Sequence, residues 1–101
     1  MTTTAISAVV PRSRTKVAGR IISVRAYVTP WVRIDAELSD GTGILVVRFM
    51  GRAEITGLEP GRTLLVEGTA GIEDENLVMR NPLYDFGPDD PSSGAASMTS
   101  W

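Results

Sequence analysis

The stretch Leu38-Ser39-Asp40-Gly41-Thr42-Gly43-Ile44 joins two runs in which apolar and polar residues alternate. Upstream, Val32, Ile34, Ala36 and Leu38 recur at every second position with Arg33, Asp35 and Glu37 between them; downstream, Leu45, Val47 and Phe49 do the same. A period of two belongs to a strand with one face in the core and the other in water. Between the runs, Gly41 and Gly43 offer positive φ, and the Asp40 carboxylate can accept from nearby backbone N–H groups. The chain is therefore expected to reverse here as a tight β-hairpin.

Outward from the hairpin, a first strand is read over about Thr15 to Val28, with Gly19 as a point where it can bend or bulge. Thr29-Pro30 turns the chain, Trp31 to Ser39 forms the second strand and Ile44 to Phe49 the third. Gly51 to Leu58 lacks β character, and Ala53, Glu54, Ile55 and Leu58 suit a short helical segment between the third and fourth strands. Glu59-Pro60-Gly61 is a turn with proline at its second position. Leu64, Val66, Gly68 and Gly71 then mark a fourth strand. After the turn Glu73-Asp74-Glu75-Asn76, Leu77 and Met79 carry a fifth strand into Asn81-Pro82-Leu83-Tyr84. Residues 1–13 are expected to be a flexible N-terminal arm, 14–86 the folded domain, and 87–101, rich in Pro, Asp, Ser, Gly and Ala, a disordered tail.

With 101 residues, 43% of them hydrophobic and 22% charged, the chain has room for one small domain. It contains neither cysteine nor histidine. That removes disulfides, thiolate nucleophiles, histidine bases and nearly every tetrahedral zinc site. The hydroxyl side chains have no base to activate them, and Lys16 is the single lysine. The expectation is a non-catalytic protein without cofactor or metal. The acidic run Glu73-Asp74-Glu75 lacks the alternating spacing and glycine of a calcium loop. The apolar stretch Ala5 to Val10 has no basic residue before it and is too short for a signal peptide or a membrane span, so a cytoplasmic protein is expected.

Five strands, the first long and glycine-bent, with a helical link between the third and fourth, follow the order of an all-β oligonucleotide/oligosaccharide-binding (OB) Greek-key barrel. An SH3-like barrel is the nearest competitor, but it usually lacks the helical link. The motifs Val17-x-Gly19-x-Ile21, Leu38-x-Asp40-Gly41-Thr42-Gly43, Phe49-x-Gly51-Arg52, Gly57-Leu58-x-Pro60-Gly61, Val66-x-Gly68 and Asn81-Pro82-x-Tyr84 span roughly Arg14 to Phe86. Together they resemble the small stand-alone OB-fold nucleic-acid-binding proteins of high-GC bacteria, which are similar in turn to the wedge domain of RecG-type helicases and to anticodon-binding OB domains. The resemblance implies a non-catalytic protein that binds single-stranded or junction-containing DNA or RNA.

Charge is unevenly spread. Up to residue 52 there are eight basic residues against three acidic ones, and beyond it two against nine, although the whole chain sums to -2. In an OB barrel the ligand lies across strands 2 and 3. The alternation puts Trp31 and Arg33 on the outer face of strand 2 and Arg48 on that of strand 3; Arg20, Arg25 and Tyr27 extend this surface from strand 1, and Arg52 borders it. Bases would stack on the aromatic rings while guanidinium groups neutralise phosphates. Other readings stand beside this one. Trp31 can cap the open end of the barrel, and Arg33 and Arg48 can pair across strands with Asp35 or Glu37. Phe49 belongs to the core, and Tyr84 and Phe86 are expected to clamp the end of strand 5.

Glu73-Asp74-Glu75 would repel phosphate from its loop. The tail, with Asp89-Asp90 and a terminal Trp101, loosely resembles the partner-recruiting tail of bacterial single-strand-binding proteins; the alternative is an end without a role. A second function class therefore remains open: an OB barrel that serves protein–protein interaction or self-assembly without nucleic acid. A continuous positive groove would favour the first class, and a checkerboard of charge the second.

Overall fold

The alternation on either side of Asp40-Gly41 produces the hairpin it predicts. In the computed structural model, which describes residues 2–87, β2 (Arg33–Ser39) and β3 (Ile44–Met50) pair antiparallel with Leu38 opposite Leu45 and Ile34 opposite Phe49. Ile34, Ala36, Leu38, Leu45, Val47 and Phe49 are all buried on the inner face. At the turn only Gly41 has positive φ, at 87°. Gly43, expected to share that role, is small for another reason: a Cβ there would lie 3.1 Å from the Ile6 side chain.

β1 (Arg14–Tyr27) is shared between two neighbours. Its first half pairs with β4 (Thr63–Glu73), from Arg14 opposite Thr69 to Arg20 opposite Thr63; its second half pairs with β2, ending with Tyr27 opposite Arg33. Between them the register slips at Ile21/Ser23. Such a bulge inserts one residue and bends the strand, which a closing sheet requires. Its further effect is to swap faces. Val17 and Ile21 are buried ahead of the slip, whereas beyond it Val24 packs against the core. Odd-numbered Ser23, Arg25 and Tyr27 are consequently carried to the outer face beside Glu37, Asp35 and Arg33. Gly19 lies just before the bend, where an added Cβ would meet Leu38 Cβ and Ser39 O, both at 3.2 Å.

β5 (Asn76–Arg80) runs antiparallel to β4 and parallel to β3, so the order β1-β2-β3-β5-β4 returns to β1 and the sheet forms a ring. Two expectations need correction. The chain does not continue β5 through Asn81: that residue takes φ 46°, and a sixth strand, β6 (Leu83–Phe86), pairs with the outer edge of β4 instead. Nor is there a helix between the third and fourth strands. Gly51 and Gly57, both at positive φ, leave too few residues between them to nucleate one. A single turn, closed by Leu58 N–H donating to Ile55 O, suffices to bury Ile55 and Leu58 against the ring.

The segment ahead of β1, expected to be a flexible arm, is held at several points. Thr4 N–H donates to Lys16 O, Arg12 N–H donates to Ala70 O, and Ile6, in a short 3-10 turn (Ile6–Ala8), is buried in the core. Asp40 supplies the clasp. Its Oδ2 accepts from Ile6 N–H at 2.8 Å, and its Oδ1 accepts from Thr42 N–H at 2.9 Å and from the Thr42 hydroxyl at 2.6 Å. At the other end, Gly87 N–H donates to Thr63 O. Of the span 87–101 expected to be disordered, Gly87 is held by this bond, and the rest, 88–101, lies outside the described residues.

Burial pushes the Asp40 carboxyl up, but the hydrogen bonds from Thr42 and Ile6 outweigh it and hold the group below its ordinary value of 3.8. Asp40→Ala is expected to cost about 1–2 kcal/mol in urea unfolding at pH 7. A depressed folded-state value makes this contribution complete well above 3.8 and lost as pH falls through the lower value, so the gap between wild type and variant should narrow in acid. The β4–β5 turn offers the opposite test. Its central residues Asp74 and Glu75 adopt φ 51° and 68°, the type I′ geometry that Asn-Gly fills best. The double replacement Asp74→Asn, Glu75→Gly should raise stability by about 1 kcal/mol.

Candidate nucleic-acid interface

The bulge, the hairpin and the β4–β5 turn together shape a groove of about 310 Å³ on the outer face of the ring. Ser23, Arg25 and Tyr27 from β1, Asp35 and Glu37 from β2, and Val46 and Arg48 from β3 form most of it; Glu73, Asp74, Asn76 and Val78 close one side. Three of the seven residues expected to form the site, Arg25, Tyr27 and Arg48, line this groove directly. Arg33 borders it, with its guanidinium Cζ 4.3 Å above the centre of the Tyr27 ring, the arrangement of a cation–π contact.

Arg48 is committed to carboxylates. Its Nε and Nη2 donate to the two Asp35 oxygens at 2.9 and 3.1 Å, and its Nη1 donates to Glu73 Oε1 at 3.1 Å. Arg80, not anticipated from the sequence as part of this region, donates to both oxygens of Glu73 at 2.8 and 2.7 Å. Arg33 Nε lies 3.6 Å from Asp35 Oδ1. The acidic run predicted to repel phosphate is thus partly neutralised, since Glu73 sits between two arginines. Hydrogen bonding from Arg80, opposed by burial and aided by the charges of Arg80, Arg48 and Arg33, holds the Glu73 carboxyl below its ordinary value. The hydrogen bond to Asp35 is the chief cause that raises Arg48. Cross-strand pairing of Arg48 with Asp35 is therefore present in the free protein.

The remaining expected residues divide between two ends. Gly51 N–H donates to Val32 O, one step beyond the Arg33–Met50 pair, and Gly51, at φ 79°, turns the chain ahead of Arg52. Trp31 lies in the β1–β2 loop rather than on β2 and is 69% exposed. Arg25 and Arg52 are exposed and pair with no carboxylate among the described residues. Arg20 stands apart. It pairs with Ser39 at the far end of β2, about 20 Å along the strand from Arg33, and its Nη1 donates to Gly61 O at 3.4 Å. Phe49 is in the core as expected. Tyr84 packs edge-on between Phe49 and Phe86, with ring centres 5.1 and 6.0 Å away.

No protein-family model matches this chain, and no curated protein matches it. Among the described residues no three acidic side chains are grouped to hold a metal ion, and no helix is long and apolar enough to cross a membrane.

The Asp35–Arg48 pair, with side chains only 14% and 17% exposed, should show strong coupling. Arg48→Met alone leaves the largely buried Asp35 with only the 3.6 Å contact to Arg33 and is expected to cost about 2 kcal/mol. The double variant Arg48→Met, Asp35→Leu should be closer to wild type than the sum of the single changes, as a double-mutant cycle in urea would measure.

Proposed function

We propose that this chain is an OB-type barrel that binds single-stranded or junction nucleic acid as a non-catalytic accessory of DNA or RNA metabolism. The ring order β1-β2-β3-β5-β4, returning to β1, supports the fold. One observation carries the functional reading. Toward one end of the groove a guanidinium stacks on a phenol ring (Arg33 on Tyr27) beside Arg25, which pairs with no carboxylate among the described residues; the exposed indole of Trp31 lies two residues before Arg33 in the chain, and Arg52 two residues beyond Met50, the cross-strand partner of Arg33. Aromatic planes beside uncommitted arginines suit bases and phosphates at once. Arg48 is a structural member of the groove, with its charge already matched, and Arg20 lies outside it.

A second reading rests on the middle of the same groove. There Asp35, Arg48 and Glu73, continued by Arg80 at the groove's edge, alternate in sign, a checkerboard that suits a protein partner with matching charges better than a polyanion. The nucleic-acid reading is preferred because the uncommitted charges at the aromatic end are both positive.

Trp31 can report directly, since Trp101 is the only other tryptophan. In a Trp101→Phe background, single-stranded DNA or RNA should quench Trp31 saturably, with affinity falling steeply as salt rises. Arg25→Ala and Arg52→Ala should each flatten the salt dependence by about one counterion, whereas Arg20→Ala should leave it unchanged. Absence of quenching and of any anisotropy change with every oligonucleotide would favour the protein-partner reading.

A further inference from the structure

The carboxylates on the groove floor are not equivalent. Asp35 gives both oxygens to Arg48, and Glu73 gives both to Arg80. Glu37, the next outward residue of β2, has a single hydrogen-bond partner among the described residues: the Ser23 hydroxyl, which donates to its Oε1 at 2.5 Å. No cationic group of the described residues forms an ion pair with it. Its Oε2 accepts from no group among the described residues. Directly across the ladder stands Val46, and Val78 completes an apolar floor beside it. An acid left uncompensated next to two neutralised ones, in a groove with an apolar base, leaves a place for a ligand that brings its own donors.

The chemistry of those donors can be narrowed. A carboxylate fits a flat edge with two parallel N–H groups, as guanine presents through N1 and its exocyclic amine. Cytosine and adenine present an amine next to an acceptor. Thymine and uracil present one N–H between two carbonyl oxygens, which would face the lone pairs of Glu37. A lysine or arginine from a protein would also supply donors, and a lining with Asp35, Glu37, Glu73 and Asp74 against Arg25 and Arg48 would not repel it; shape separates the two, because a planar base covers Val46 and Val78 while two of its N–H groups meet one carboxylate.

Resting on the nucleic-acid reading above, we infer that the groove selects guanine, with Glu37 accepting from the N1–H and amino group of a base seated on Val46 and Val78. The phosphate of that nucleotide would meet Arg25, two residues along β1 from Ser23, and Trp31, about 20 Å from Glu37 along the strand, would be reached by neighbouring nucleotides. Ser23 positions the Glu37 carboxylate by its hydrogen bond.

The test uses the full chain and fluorescence anisotropy with labelled twelve-nucleotide single strands: alternating G and T, alternating C and T, and T alone. The G-containing strand should bind about tenfold or more tighter than the T strand. Glu37→Gln, which exchanges one acceptor for a donor, should reduce that ratio to about twofold or less, chiefly by weakening the G-containing strand. A thermal melt shows whether the variant is folded; if it is not, the wild-type ranking decides alone. Equal affinity for all three strands, or discrimination that survives Glu37→Gln in a folded variant, overturns the guanine assignment while leaving nucleic-acid binding in place. Failure of every strand to bind, with an arginine-rich peptide bound instead, overturns both.

Discussion

A sheet of this length can close on itself only if one strand serves two partners, and β1 does so by changing direction and parity within three residues. Before the slip at Ile21/Ser23 it presents Val17 and Ile21 to the core; after it, Val24. Closure and the composition of the outer face are therefore one event. The same extra residue that lets β4 and β2 share a strand also turns Arg25 and Tyr27 outward, where they meet Asp35 and Arg33. Were β1 regular, a guanidinium would enter the core, and the burial of an unpaired charge would oppose the fold.

How much of this could be read beforehand depended on the range of the interaction. The hairpin, the inward set from Ile34 to Phe49 and the length of β1 follow from local periodicity and turn chemistry and were legible, whereas the bend expected at Gly19 falls at Ile21/Ser23. The helix expected over Gly51 to Leu58 failed because its apolar spacing is equally satisfied by one turn, and the flanking glycines adopt conformations a helix cannot use. β6 was missed because edge pairing to β4 is a long-range event that four residues after a proline do not announce. Gly43 looked like a turn glycine, but the reason for its size is Ile6, a neighbour from the other end of the sequence.

The candidate site shows the same division. Residue types and outward phase were legible for Arg33 and Arg48, and so was the alternative that they pair with acids on their own face. What was not legible is the identity of the partners. Glu73 reaches Arg48 from a different hairpin and brings Arg80 with it, so the acidic loop that seemed opposed to a polyanion is tied to the very arginines meant to hold one. Alternation along a strand gives the face of a residue, but only the register between strands shows which charges cancel. The uncommitted groups, Arg25, Arg52 and Glu37, emerge from that subtraction.

The N-terminal segment acquires a different meaning from its clasp. Ile6 occupies a place in the core, and its amide is bound by a carboxylate thirty-four residues away, so residues 4–12 behave toward the hairpin as a tethered ligand behaves toward a receptor. A tether of this length keeps its occupant at millimolar effective concentration, which makes weak individual contacts sufficient for docking. Coupling follows in both directions: whatever orders the Asp40 loop favours the docked segment, and whatever displaces the segment uncovers Gly43 and loosens the turn. The hairpin end of the ring thus has part of its core supplied by a segment that precedes the first strand.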